Sequence, residues 1–173
     1  MDSNPGGLRL RPLRPEDEAA VIAAQRVMAE ADDFGFALGY QPGMSWTAYL
    51  DQLDERRRGV ALPDRWVPST FLAALAGGDL VGRASIRHHL NEHLKLEGGH
   101  IGYAVLPRFR RRGYATDILR QSVVIARSVG VDRVLVTCGD SNVGSAAVIE
   151  RCGGRLDSVI EVGVRKVRRY WID

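Results

Sequence analysis

The sequence predicts an α/β fold in which a mixed sheet is covered by helices on both faces. Three observations carry this reading. Hydrophobic periods follow one another in the order strand, helix, helix, strand, strand, strand, helix, strand, helix, strand, strand. A hairpin turned at Gly77-Gly78-Asp79 feeds a strand–helix–strand crossover, the connection that joins parallel strands. Val134-Leu135-Val136 is an unbroken apolar run, as a strand buried on both faces requires.

Leu8, Leu10 and Leu13 alternate loosely with arginines and predict a first strand that ends near Pro15. Asp17 and Glu18 open a helix to about Glu30, acidic residues at its positive end, with Val21, Ile22, Val27 and Met28 on helical spacing. The glycine- and aromatic-rich stretch from Phe34 to Trp46 either walls a substrate pocket or packs between the first two helices. Ser45 then N-caps a second helix carrying Trp46, Tyr49, Leu50 and Leu53, and Gly59 ends it. Strands follow over Phe71 to Ala76, Leu80 to His88 and His100 to Leu106, the last stopped by Pro107. Gly113 to Val129 is a helix closed by Gly130, and Arg133 to Cys138 is a strand. Asn142 to Cys152 is a short helix stopped by Gly153-Gly154. Arg155 to Glu161 and Val164 to Ile172 are the final strands, turning at Gly163.

The 173 residues suit one domain with a substantial core, expected to span residues 1–173. A net charge of +3 is compatible with an anionic ligand but too small an excess to argue for nucleic acid. Basic residues concentrate at Arg108 to Arg112 and Arg165 to Arg169; the second run reads as a solvated strand face. Two cysteines, Cys138 and Cys152, are too few for a disulfide framework and suit a reducing compartment. Met1 to Gly7 lacks the basic start and apolar run of a secretory leader, and no apolar stretch reaches the roughly 20 residues of a membrane span. A cytoplasmic protein with no membrane partner is expected. His88, His89 and His93 do not complete a metal set, so no metal is expected.

The strongest local signal is the strand Ile101 to Val105, a proline turn, and then Arg110-Arg111-Arg112-Gly113-Tyr114-Ala115-Thr116 at the start of a helix. Unpaired N–H groups and the helix dipole make such an end an anion site, and Gly113 and Ala115 keep side-chain bulk away from it. A solvated basic turn is the plain alternative. The run from Val105 to Thr116 resembles the pyrophosphate-binding motif of the GNAT acetyltransferase superfamily. Asn142 and Ser145 resemble its second element, and Val148 to Gly154 is similar to the usual ending of that helix. The segment Ile86 to Tyr103 is similar to a bacterial branch of the superfamily.

That resemblance implies a mostly antiparallel sheet whose strands splay apart at the cofactor. It implies acetyl-CoA as acyl donor, bound by Val105, Arg110, Arg111, Arg112, Gly113, Tyr114, Ala115, Thr116, Asn142 and Ser145. The acceptor is then a small-molecule or protein amine, attacked in a ternary complex because no Cys or Ser occupies a nucleophile setting. No nucleic-acid partner is expected, and a homodimer stays open. Glu97 and His100 are the candidate bases, each set against an ordinary structural or solvated role. Many relatives place a tyrosine acid where this chain has Ile149, which is expected to face the cleft. Unassisted release of the thiolate is then favoured over a proton from Tyr103 or Tyr114. Two further readings, a silent acyl-CoA sensor and an RNA-binding module, belong to other classes.

Overall fold

A computed structural model describes residues 7–32 and 34–173. Residues 1–6 lie outside it, and with them most of the segment expected to carry no leader. The elements are β1 (Arg9–Arg11), α1 (Glu18–Asp32), α2 (Trp46–Arg58), β2 (Ser69–Ala76), β3 (Asp79–Arg87), α3 (Glu92–Leu96), β4 (Ile101–Val105), α4 (Tyr114–Ser128), β5 (Val134–Gly139), α5 (Val143–Arg151), β6 (Arg155–Val162) and β7 (Arg165–Ile172). They form a mixed α/β architecture of two sheets, ordered β1-β2-β3-β4 and β5-β7-β6. Every ladder among the described residues is antiparallel. β4 and β5, the strands flanking the crossover helix α4, share no ladder.

Local chemistry sets the element ends. Ser45 Oγ accepts from the Ala48 N–H at 3.2 Å, and Gly59 terminates α2 in the left-handed region at φ 71°. Helix α1 begins one residue later than its acidic start suggests, because Pro15–Asp17 forms a 3-10 turn. Asp17 does not cap by charge alone. Its carboxylate accepts from the Arg14 N–H at 2.7 Å and from the Arg11 guanidinium at 2.7 and 2.8 Å, tying the helix start to β1. Helix α3 was not expected. Five residues are too few to display a helical period, although Asn91 caps it in the usual way, accepting from the Leu94 N–H at 2.9 Å.

The core has two apolar clusters. In one, Val21, Met28, Phe36, Tyr49, Ala73, Val81 and Ile118 join α1 and α2 to the first sheet. In the other, Ile86, Ile101, Leu119, Val134, Val136, Ile149 and Tyr170 join both sheets through α4 and α5. Gly82 permits the close approach of β3 to its neighbours: a Cβ there would lie 2.2 Å from Ala104 O and 3.1 Å from Ile118 Cδ1. No described helix is long and apolar enough to cross a membrane.

The two sheets are clipped together at a single place, just before β4. His100 N–H donates to Leu135 O at 2.7 Å, Leu135 N–H donates to His100 Nδ1 at 2.9 Å, and Gly98 N–H donates to Thr137 Oγ1 at 2.9 Å. Gly99 is required beside them. Its φ is +59°, and a Cβ would stand 2.4 Å from Leu135 O. His100 is 7% exposed, and burial pushes its pKa down to about 4, with Arg87 and His89 adding to the effect. The unfolded chain, with the ordinary value near 6.5, takes up the proton first. The stability contributed by neutral His100 is therefore complete above pH 6.5 and is lost as pH falls toward 4. The loss should be on the order of 3 kcal/mol. Denaturant titrations across this window should show that slope in the wild type. It should flatten in His100→Asn, which keeps an acceptor but cannot be protonated.

Candidate active site

Downstream of the clip, β4 pairs with β3 on one side only, and a cleft of about 860 Å³ opens along it. Tyr103, Ala104 and Val105 form one wall and Asn142, Ser145 and Val148 the other; the start of α4 lies at one end. The chain reaches α4 through a 3-10 turn at Pro107–Phe109 and two left-handed residues, Arg111 at φ 60° and Gly113 at φ 85°. Gly113 is the N-cap and supplies no side chain. The first-turn bonds run from the Thr116 and Asp117 N–H groups to Gly113 O. The N–H groups of Gly113, Tyr114 and Ala115 donate to no described protein group, which leaves a concave set of donors at a helix N-terminus.

The arginines of this turn have separate roles. Arg111 lines the cleft. Arg110 also lines it but reaches across to α1, ion-pairing with Asp32, while its Nε donates to Val105 O at 3.1 Å. Arg112 is not on the wall; its guanidinium lies 5.8 Å from the Phe109 ring, and that of Arg108 lies 4.5 Å from it. Phe109 in turn meets Tyr114 edge-on at 6.3 Å.

Asn142 is the N-cap of α5, its Oδ1 accepting from the Ser145 N–H at 3.0 Å, so capping and a place on the cleft wall coexist. Ser145 Oγ is 2.8 Å from the Tyr103 hydroxyl, a bond that spans the gap between β4 and α5. Burial pushes the Tyr103 pKa up to about 12, so the hydroxyl keeps its proton at neutral pH. The pairing of Tyr103 with Ser145 was not visible in the sequence; 42 residues separate them. Met28 and Asp32 were also missed, since α1 reaches the cleft only through tertiary packing, whereas Phe34 begins the stretch read as a possible pocket wall and does line the cleft.

The structure thus brings Val105, Arg110, Arg111, Gly113, Tyr114, Ala115, Thr116, Asn142 and Ser145 to one cleft. Arg112, Glu97 and His100 are not on its wall. Glu97 is held by both Arg165 guanidinium nitrogens at 2.9 Å, and His100 is the buried clip described above. Ile149 corrects an expectation: it is 0% exposed in the core and does not face the cleft. Ile149 shares the buried face of α5 with Ala146, three residues before it, while Gly144, Ser145, Val148 and Arg151 take the cleft face. The basic run of β7 is largely neutralised internally, Arg165 by Glu97, Arg168 by Asp140 and Arg169 by Asp157.

The site is thus a helix start with unpaired N–H donors beside a one-sided strand, in a fold of two antiparallel sheets. Residues 7–155 match the family described as Acetyltransferase (GNAT) domain, so the chain belongs to the GNAT acetyltransferase family and is an acyltransferase by class. No curated protein sequence matches. Among solved structures, RimJ of Mycobacterium smegmatis in complex with CoA-disulfide is similar at TM-score 0.70 and 22% identity, over 96% of this chain and 82% of that one. RimL, a ribosomal L7/L12 alpha-N-protein acetyltransferase in complex with coenzyme A, is similar at TM-score 0.68 and 16% identity, over 95% and 93%. The putative acetyltransferase yncA of Salmonella typhimurium, with its cofactor acetyl-CoA, is similar at 0.64 and 14%, over 95% and 92%.

Cys138 is buried in β5 and Cys152 half-buried at the end of α5; desolvation raises the pKa of both thiols. Neither is set up as a nucleophile. Iodoacetamide at pH 7.5 should modify the native protein more slowly than free cysteine, with both sites becoming reactive on unfolding. Rapid alkylation of Cys138 in the native state would contradict this.

Proposed function

We propose that the chain acts as one domain over residues 1–173 and transfers an acetyl group from acetyl-CoA to an amine by direct attack in a ternary complex. The observation that carries this reading is the set of unpaired N–H groups at Gly113, Tyr114 and Ala115, open to the cleft beside the unpaired edge of β4. When bound, acetyl-CoA supplies the acetyl group as a thioester. The N–H groups at the start of α4 hold pyrophosphate oxygens, and Arg111 adds charge. The free edge of β4 pairs with the amides of the pantetheine arm, as an uncovered edge in a cleft requires. Asn142 and Ser145 line the other side of that arm. A β4 backbone N–H polarises the thioester carbonyl.

The Tyr103–Ser145 hydroxyl pair is the proton source for the departing thiolate, since Tyr103 is protonated at neutral pH and faces the cleft. Proton removal from the amine is assigned to neither Glu97 nor His100, because both are engaged elsewhere; water in the cleft takes it. That gap favours one competing reading, an acyl-CoA sensor without turnover. Thiol release in the presence of an amine panel distinguishes the two. The acceptor is a small molecule or a protein amine, and the cytoplasm is the proposed location.

Acetyl-CoA should raise the melting temperature of the wild type. Gly113→Glu should abolish that shift. A Cβ at 113 meets nothing within 4 Å, but the φ of +85° strains the substituted residue, so circular dichroism should show a folded, somewhat less stable protein. A shift that survives would place the phosphates elsewhere. Tyr103→Phe should lower kcat by about 10²-fold with acetyl-CoA affinity unchanged. Wild-type turnover in that variant would mean that the thiolate leaves without a dedicated acid.

A further inference from the structure

The most buried cation among the described residues meets no carboxylate among them. Arg83, in the middle of β3, is 2% exposed. Its Nε has no hydrogen-bond partner, and its one polar contact is a 3.3 Å bond from Nη2 to Gly35 O. A guanidinium has five N–H donors, and burying it costs several kcal/mol unless they are satisfied. Arg56 is the instructive contrast. It too is buried, but it donates at 2.8 Å to both Leu38 O and Gln52 Oε1. Arg11, Arg110, Arg165, Arg168 and Arg169 all reach carboxylates. Among the described residues, none is within ion-pair distance of Arg83.

A second cation points to the same place. Arg87 lies on the same face of β3, four residues on. It bonds only the carbonyls of Gly98 and Gly99, at 2.9 and 3.3 Å, through Nη1. The position a Cβ would take on Gly102 is 3.7 Å from Arg83 Nη1 and 3.5 and 3.7 Å from Arg87 Nη1 and Nη2. Two like charges therefore converge over a residue of β4 that has no side chain. Burial together with Arg87 pulls the Arg83 pKa down to about 10, so the groups repel with nothing between them to relieve it. An apolar residue at 83 would be the simpler solution for stability alone.

Convergence over Gly102 brings both charges beside Tyr103, Ala104 and Val105, the strand that lines the cleft. Phe34 links the two regions: it is on the cleft wall, 41% exposed, with its ring 4.9 Å from the Arg83 guanidinium carbon. Displacing that one exposed ring is the step the subsite requires for an acceptor in the cleft to reach Arg83. We propose that Arg83 and Arg87 form an anion subsite over Gly102 that selects an acceptor amine bearing a carboxylate. This rests on the acyl-transfer reading, in which β4 presents the thioester.

Matched acceptors test it. Acetyl transfer is compared between alanine and alaninamide, and between the amides of alanyl-glutamate and alanyl-glutamine. The first pair reports an α-carboxylate and the second a side-chain carboxylate one residue on. In parallel, calorimetry measures binding of N-acetylalanine and N-acetylalaninamide to the CoA complex, a readout that needs no turnover. The carboxylate member of at least one pair should be favoured by about 10- to 100-fold, as a charge-assisted contact implies. Arg83→Met should bring that ratio near one with acetyl-CoA affinity unchanged, and Arg83→Lys should keep part of it. If Arg83→Met does not fold, the wild-type ratio and Arg83→Lys still decide. Turnover without carboxylate preference, or a preference that survives Arg83→Met, overturns the subsite and leaves acyl transfer standing. Carboxylate-selective binding without turnover supports the subsite and removes acyl transfer.

Discussion

The cleft exists because β4 and β5 are fastened at their beginnings and nowhere beyond. The fastening is small: one backbone hydrogen bond in each direction around His100 and Leu135, one of them using the imidazole as acceptor, plus Gly98 on Thr137. An imidazole nitrogen standing in for a carbonyl lets the chain leave the ladder while satisfying the buried Leu135 N–H. Gly99 is the steric condition for it. Past this point each strand has its own sheet, and the unpaired side of β4 is available to a ligand. The same burial that makes His100 a good clip keeps it neutral.

Many of the surface arginines in this protein pair with nearby carboxylates, and two of these pairs join elements distant in sequence: Arg110 to Asp32 and Arg165 to Glu97. Such exposed pairs contribute little stability individually and serve mainly to orient. At the start of α4 the positive potential comes instead from backbone donors and the helix dipole. In β3, Arg83 and Arg87 face inward with no carboxylate within ion-pair distance among the described residues. Their cost in stability is what an unfilled anion subsite would carry.

Much of the fold was legible because it depends on local chemistry. Ser45 and Gly59 bound α2 as their cap propensities require, and the apolar run from Val134 to Val136 is buried throughout. Helix α3 was hidden because five residues show no period. Asp17 began a turn and not a helix because Arg11, six residues away, competes for its carboxylate. On the cleft wall, the glycine-bearing turn before α4 was legible from the chemistry of a helix start and the α5 cap from the family resemblance, whereas Tyr103–Ser145 was not legible.

By itself the sequence determined the longer helices and the strands, the family resemblance, and the glycine-bearing helix start that can receive phosphate, since these show in residue patterns within short stretches of chain. Tertiary structure alone decided which side chains share the cleft. It turned Ile149 into the core beside Ala146, and engaged Glu97 with Arg165 across 68 residues. It made His100 a joint between sheets, and it left Arg83 buried beside Arg87 over Gly102. Charge, burial and hydrogen bonding at these positions depend on neighbours that the sequence places far away, so only the packed chain gives each group its role.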